Sequence, residues 1–476
     1  MPTSPARPGR VSPVARAVVI GAGVSGLAAA WRLHRRGVHV TVVEAADLAG
    51  GQVRTVFFDG RAVDVGAEGV HVAETSTVST LAQLGLLESA VTARTGGTWL
   101  EREGRLRRLP AGVGPAGPTR LRPVLTSGVL GPLALARAGL EPLLARRRVV
   151  GDVSVGEFVG RRFGPQVVDR FVDPLLGGIH AGDVRRLSLA ACAPQLVDVA
   201  AEGRSIVLRR RPPTPAPARP EAPVGLLSWP DGLQRLTSEL SSRLGEPVRL
   251  QEAVRALGFR GTRSCEVELA SGEIIDADVV VLATPAATAA DLLAPTAPGA
   301  AAALRLVQTA SVATVIASFA DPRLSRHPAL DGTGVLLPSS SGHVLRAATF
   351  LSSKWPHLDG DRPLVRLSAG RAGDSRLDDL TDDTLADRLV DELGTLLGLR
   401  LQPNEVSVHR WRRSMPQQVV GHRELVATAR GRLADLPQLA LAGASYDGVG
   451  VAACLRSGER AVDALLGRPE AAEVVA

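Results

Sequence analysis

Three glycines near the N-terminus are spaced for work on a nucleotide: Gly21-Ala22-Gly23-Val24-Ser25-Gly26. In such a turn the first glycine permits the tight bend and the second removes the Cβ that would block a pyrophosphate. The third lets a helix pack closely on the preceding strand. The flanks are those this chemistry needs. Ala17 to Ile20 is a short apolar run that reads as a buried parallel strand, and Val24, Leu27, Ala28 and Trp31 recur at helical spacing. Arg35, Arg36 and Gly37 mark the helix end, and Val38 to Val43 reads as a second strand. The spacing predicts a βαβ unit over residues 17–44, with a right-handed crossover. Glu44 closes the second strand, where a carboxylate accepts the hydroxyls of a ribose. The same acid would repel a 2′-phosphate, which argues against NADP and leaves NAD and FAD.

Two further glycine-rich stretches bear on that choice. Glu44 and Ala45 lead through a short spacer to Gly50-Gly51-Gln52-Val53-Arg54-Thr55. Such a loop can pass beneath a second nucleotide half and bring Arg54 to the pyrophosphate. At the other end, Gly443-Ala444-Ser445-Tyr446-Asp447-Gly448-Val449-Gly450-Val451 precedes an Ala-rich helix containing Ser457-Gly458. A helix start of this kind offers N–H groups that stabilise negative charge on a reduced flavin ring, and its small residues can abut that ring.

Composition narrows the classes. A chain of 476 residues predicts two or three domains. Fifty glycines and thirty-three prolines imply many turns rather than long bundles. Lys354 is the only lysine, so a lysine-dependent mechanism has a single candidate. The net charge of +7 favours anionic partners, but aromatics are only 3% of residues, which speaks against stacking on nucleic acid. Cys192, Cys265 and Cys454 lie far apart and read as buried thiols in a reducing compartment, and no histidine spacing suits a metal. Nowhere do about twenty consecutive apolar residues occur, so no spanning helix is expected, whereas an interfacial one remains open.

The EAADLAGGQVRT segment resembles the GGxxxT segment of FAD-dependent amine oxidases, desaturases and porphyrinogen oxidases. Val248 to Val254, followed by VVVLATP at 279–285, resembles the rest of that superfamily's discontinuous FAD domain. Within it, several stretches are similar to the porphyrinogen oxidases, above all the Gram-positive type of coproporphyrinogen III oxidase. These are Asp152–Pro165, Val168–Ala191, Ala347–His357, Trp411–His422 and Ala442–Gly450. The resemblance implies FAD, with a cofactor set that adds Gly66, Ala67, Glu68, Val254, Ala283, Thr284 and Trp411 to the glycine motifs. It implies removal of hydride from a bridge carbon of a porphyrinogen, proton loss from a pyrrole nitrogen, and dioxygen as acceptor. Aromatisation drives such a reaction, so no strong base is required. His180 in GGIHAG is the best titratable candidate by position. This chain departs from the family at His180, where Tyr or Phe is usual, at Gln52, where arginine is usual, and at Pro416-Gln417-Gln418.

The implied fold is α/β: a discontinuous Rossmann-like FAD domain (17–75, 224–299 and 426–470) with a mixed α+β substrate domain (300–425). A helical region (76–208) is expected to form the substrate access or a membrane surface, with basic clusters at Arg105–Arg108 and Arg146–Arg148. Residues 1–16 read as a disordered tail and 209–223 as a Pro-rich loop. A cytoplasmic location is expected, with peripheral membrane contact as a secondary property. Rival readings are an amine oxidase, a desaturase, a protoporphyrinogen oxidase or a flavin-binding protein without turnover. Against the amine oxidase, the position matching that family's strand lysine is Thr314, and Tyr446 is the only tyrosine.

Overall fold

The computed structural model describes residues 14–115, 117–208, 225–261 and 264–467. The expected tail falls mainly on residues outside this set, although Arg16 already begins a strand, and the Pro-rich segment 209–223 lies outside it altogether.

A four-stranded parallel sheet forms the base of the molecule. Strand β1 (Arg16–Ile20) lies between β2 (His39–Val43) and β3 (Val279–Leu282), and β4 (Leu439–Leu441) flanks β3. β1 reads as a continuous apolar run because both faces are covered. Ala17 and Val19 pack beneath helix α1 (Val24–Arg35), while Val18 and Ile20 face Leu257, Cys265 and Val267 of a three-stranded antiparallel sheet. Helix α2 (Val451–Leu466) crosses α1 at Gly458, where a Cβ would sit 2.3 Å from the Ser25 carbonyl oxygen. Gly458 therefore serves helix–helix contact, while Ser457 Oγ accepts from Gly443 N at 2.8 Å. The start of the Val248–Val254 stretch meets the parallel sheet through one bridge, between Val43 and Arg249.

The second unit is a seven-stranded sheet in the order Glu405–Pro416, Thr309–Ser318, Leu364–Ala369, Leu345–Phe350, Gly332–Leu336, Gly97–Arg102, Arg105–Arg108. One face packs on the helix Asp382–Leu397 through Ala313, Val315, Val365, Leu367, Leu389 and Leu393. By strand alternation the opposite face carries Thr314, Arg366 and Ser368, with His409 paired beside Thr314. The last two strands come from the stretch that reads as helical in sequence, and the Arg105–Arg108 cluster sits on an edge strand.

After the short strand Gly117–Pro118, which pairs with Val113–Gly114, the helical elements up to residue 208 are short, and one is a π-helix, Val168–Gly177. Pro174 inside that helix has no N–H to donate, which suits the wider coil. It hands the chain to Gly178–His180, and Ala181 then turns it in the left-handed region with φ of 46°.

Candidate active site

A cavity of about 500 Å³ opens above the C-terminal ends of β1 and β2 and runs to the edge of the seven-stranded sheet. That is where ligands sit in open parallel sheets. Its first wall is the glycine turn. A Cβ on Gly26 would fall 1.9 Å from the Gly21 carbonyl oxygen, so this glycine serves the strand–helix contact. A Cβ on Gly23 would meet nothing within 4 Å, so the space over Gly23 belongs to the cavity. Gly23 is also the N-cap of α1, whose first N–H groups have no side-chain cap. Gly50 N donates to Ala22 O at 2.8 Å and Gly51 packs on Gly23, so the glycine pair backs the first turn.

Glu44 accepts from Ala22 N (2.7 Å) and Ala46 N (2.9 Å), which fixes its carboxylate at the cavity margin. Val24, Ser25, Ala45, Gln52, Ala67, Val254, Ala283 and Thr284 also line the cavity. Thr284 Oγ1 is buried there with no hydrogen-bond partner among the described residues. From the far end come Gly443, Val449 and Val451, the last at the uncapped start of α2. Gly448 and Gly450 shape the turn without lining the cavity. Trp411 forms the wall toward the large sheet, and its Nε1 donates to Val65 O at 3.1 Å.

Several expected residues are positioned otherwise. Arg54 is exposed and outside the cavity lining, and the arginine that lines it is Arg413. A bulge in the pairing of Glu405–Pro416 with Thr309–Ser318 puts Arg413 in the left-handed region (φ 48°). Thr55 ties the fold instead: its hydroxyl donates to Asp64 Oδ1 at 2.6 Å. Burial pushes the Asp64 carboxyl up to about 6, against hydrogen bonds from Thr55, Leu233 N and Ser228. Gly66 packs against the Gln52 carbonyl, leaving Ala67 as the lining residue of that strand end. Glu68 stands behind it, paired with Lys354 Nζ (2.8 Å) and Trp355 Nε1 (2.7 Å). Burial opposes its charge, but Lys354 and Arg366 outweigh that and hold the carboxyl below its usual range.

His180 does not line this cavity. Its ring is buried, with Cys192 Sγ 3.9 Å from Nδ1, and Gln417 Nε2 donates to its backbone carbonyl at 2.9 Å. Burial pushes its pKa down to about 4, so the imidazole is neutral at physiological pH. Burial likewise pushes the Cys192 thiol up to about 12, so it is no thiolate nucleophile.

The family model for flavin-containing amine oxidoreductases matches residues 24–466. The chain belongs to that family. A coproporphyrinogen III oxidase of Bacillus subtilis is 31% identical over 464 residues, covering 94% of this chain and 97% of that protein. One from Mycobacterium leprae is 35% identical, covering 94% and 97%. A crystal structure from Exiguobacterium sp. 255-15, provisionally named a protoporphyrinogen oxidase, superposes with a TM-score of 0.83 at 27% identity over 96% and 99% of the chains.

As a flavin-containing amine oxidoreductase, the protein is an FAD-dependent oxidoreductase with a mixed α/β fold. The cavity fits that cofactor on its own terms: an open cradle over Gly23, two uncapped helix starts, an acid at the ribose position and the unpartnered Thr284 hydroxyl. The sequence reading missed Arg413, Ser414 and Pro416, although all three follow Trp411 within the segment that carries the resemblance.

Proposed function

We propose that this chain oxidises a porphyrinogen to a porphyrin, with coproporphyrinogen III as preferred substrate and dioxygen as final acceptor. The observation that carries this reading is the agreement over nearly the whole chain with relatives named for that substrate. Bound FAD supplies a two-electron acceptor for hydride from a bridge carbon. The residues of the chain bind and orient: Glu44 and the glycine turns hold the cofactor, and Trp411 closes the cavity toward the large sheet. The sheet face on this side carries Ala347, Thr349 and Ser368 together with the cation Arg366. His180, neutral and buried, is given no proton-donating role.

The test is aerobic incubation with coproporphyrinogen III, protoporphyrinogen IX and simple amines, following porphyrin fluorescence and peroxide. Coproporphyrin formed fastest is the expected result. No porphyrin above the spontaneous rate would refute the reading, and faster protoporphyrin would reassign the substrate.

We further propose that residues 121–150 rest on an anionic membrane surface. Among the described residues no helix is long and apolar enough to cross a membrane. Yet Leu133 is 88% exposed and Val150 94%, with Leu125, Leu140 and Leu143 also outward and Arg122 and Arg146–Arg148 beside them. Exposed leucines flanked by arginines suit headgroups over acyl chains. Co-sedimentation with phosphatidylglycerol vesicles but not phosphatidylcholine vesicles is expected, and Leu133→Glu should abolish it. Equal recovery with both lipids removes this reading.

A further inference from the structure

The only lysine of the chain is half-buried, and it belongs to an unbalanced group. Lys354 Nζ lies 2.8 Å from Glu68 Oε1, and Arg366 Nη1 lies 3.9 Å from Glu68 Oε2. The three side chains are 19%, 17% and 14% exposed. Two cations against one carboxylate leave one net positive charge. Arg366 Nη1 has no hydrogen-bond partner among the described residues, so this charge is incompletely quenched. Such a group is costly to bury, and well-packed apolar residues would serve stability better.

Its position relative to the cavity suggests what it does. Arg366 Nη2 donates to Gly66 O at 2.7 Å, and the next residue, Ala67, lines the cofactor cavity. Trp355, which donates to the same carboxylate, is fully buried, so the group is fixed in place from behind. Placing an electron pair on a bound flavin builds negative charge, and a fixed positive charge in a poorly screened wall favours that state.

Resting on the assignment of FAD to this cavity, we propose that Lys354, Glu68 and Arg366 form an electrostatic positioning group that raises the electron affinity of the bound cofactor. None of them is a catalytic residue: they act through the Gly66–Ala67 wall. The structural alternative is a buried ion cluster that merely pins the strand end.

Charge variants separate the two, because their effects on electron affinity have opposite signs. Sulfite adds to the oxidised flavin ring and reports its electron affinity as a bleaching of the visible band. In the holoenzyme, Lys354→Met takes the group from +1 to neutral and should weaken sulfite binding severalfold, because a fixed positive charge that favoured the reduced ring is lost. Glu68→Gln takes it to +2 and should tighten sulfite binding by a similar factor. The double variant restores +1 and should return close to the parent value. The midpoint potential of the flavin, measured against reference dyes, should move in the same order and decides the matter where a sulfite adduct does not form. Should Lys354→Met fail to fold, Glu68→Gln and the double variant still carry the comparison. Shifts in the same direction for both single variants, or shifts below twofold, overturn the proposal. A parent protein that binds no flavin overturns the cofactor assignment instead.

Discussion

Two glycines three residues apart in the N-terminal turn should respond to the same substitution in opposite ways. Gly23 has φ −72° and ψ 176°, a conformation alanine adopts freely, and its Cβ would meet nothing within 4 Å. Gly23→Ala should therefore leave the apoprotein as stable as the parent, or more stable by about 0.5 kcal/mol through the unfolded chain. The added methyl group enters the space left for a pyrophosphate. Overpacking of that kind costs about 1–3 kcal/mol, which is roughly 5- to 150-fold in the dissociation constant of FAD. Gly26→Ala forces its Cβ to within 1.9 Å of the Gly21 carbonyl oxygen and 3.0 Å of the Ala283 Cβ. The strand and helix must separate, so the apoprotein itself should lose about 3 kcal/mol or more. Thermal unfolding of both apoproteins, with FAD titration followed by quenching of flavin fluorescence, checks the pair. Parent-like FAD affinity in Gly23→Ala would refute the reasoning, as would equal destabilisation of the two apoproteins.

Asp64, with its carboxyl raised from 3.8 to about 6 by burial, makes the folded state hold a proton longer than the unfolded chain. Its contribution is complete below about pH 4 and lost as pH rises through 6, amounting to about 3 kcal/mol. Urea unfolding at pH 4 and 7 should show the parent losing that much relative to Asp64→Asn, and no pH-dependent difference would count against it. His180 works with the other sign, since its pKa is lowered from 6.5 to about 4. Stability should fall by about 3 kcal/mol on acidification from pH 6.5 to 4, and His180→Gln should flatten that limb in the same titration. Arg413 lines the cavity and Arg54 does not, so Arg413→Gln should weaken FAD binding severalfold more than Arg54→Gln, as measured by equilibrium dialysis. The reverse order would restore Arg54 to the site.

Much of the cofactor end was legible in the sequence because it is built locally. The strand, the glycine turn, α1 and Glu44 lie within thirty residues, and steric rules acting over a few peptide units dictate their geometry. β1 and β3 were visible for a related reason: a strand covered on both faces must be apolar throughout. The strand Gly97–Arg102 was hidden because its sheet partner, Gly332–Leu336, lies more than two hundred residues away, and Arg105–Arg108 joins the sheet only by pairing with Gly97–Arg102. Alternation along a two-strand edge rich in arginine carries no signal of that distant edge.

What the sequence determined by itself was a chemistry: a dinucleotide turn, an acid for the ribose, a second helix start, and a family whose members carry flavin. What only the tertiary structure decided was which of several similar residues does each job. Arg54 and Arg413 are indistinguishable as residue types, and a bulge in one strand gives the cavity to Arg413. Gly458 could have faced a ring, and the crossing of two helices set it against Ser25. Glu68 fits a cofactor contact by position, yet Lys354 and Arg366, about three hundred residues away, hold it behind the wall. Local sterics act along the chain and can be read there, whereas charge pairing and close packing act through space and appear only once the chain has folded.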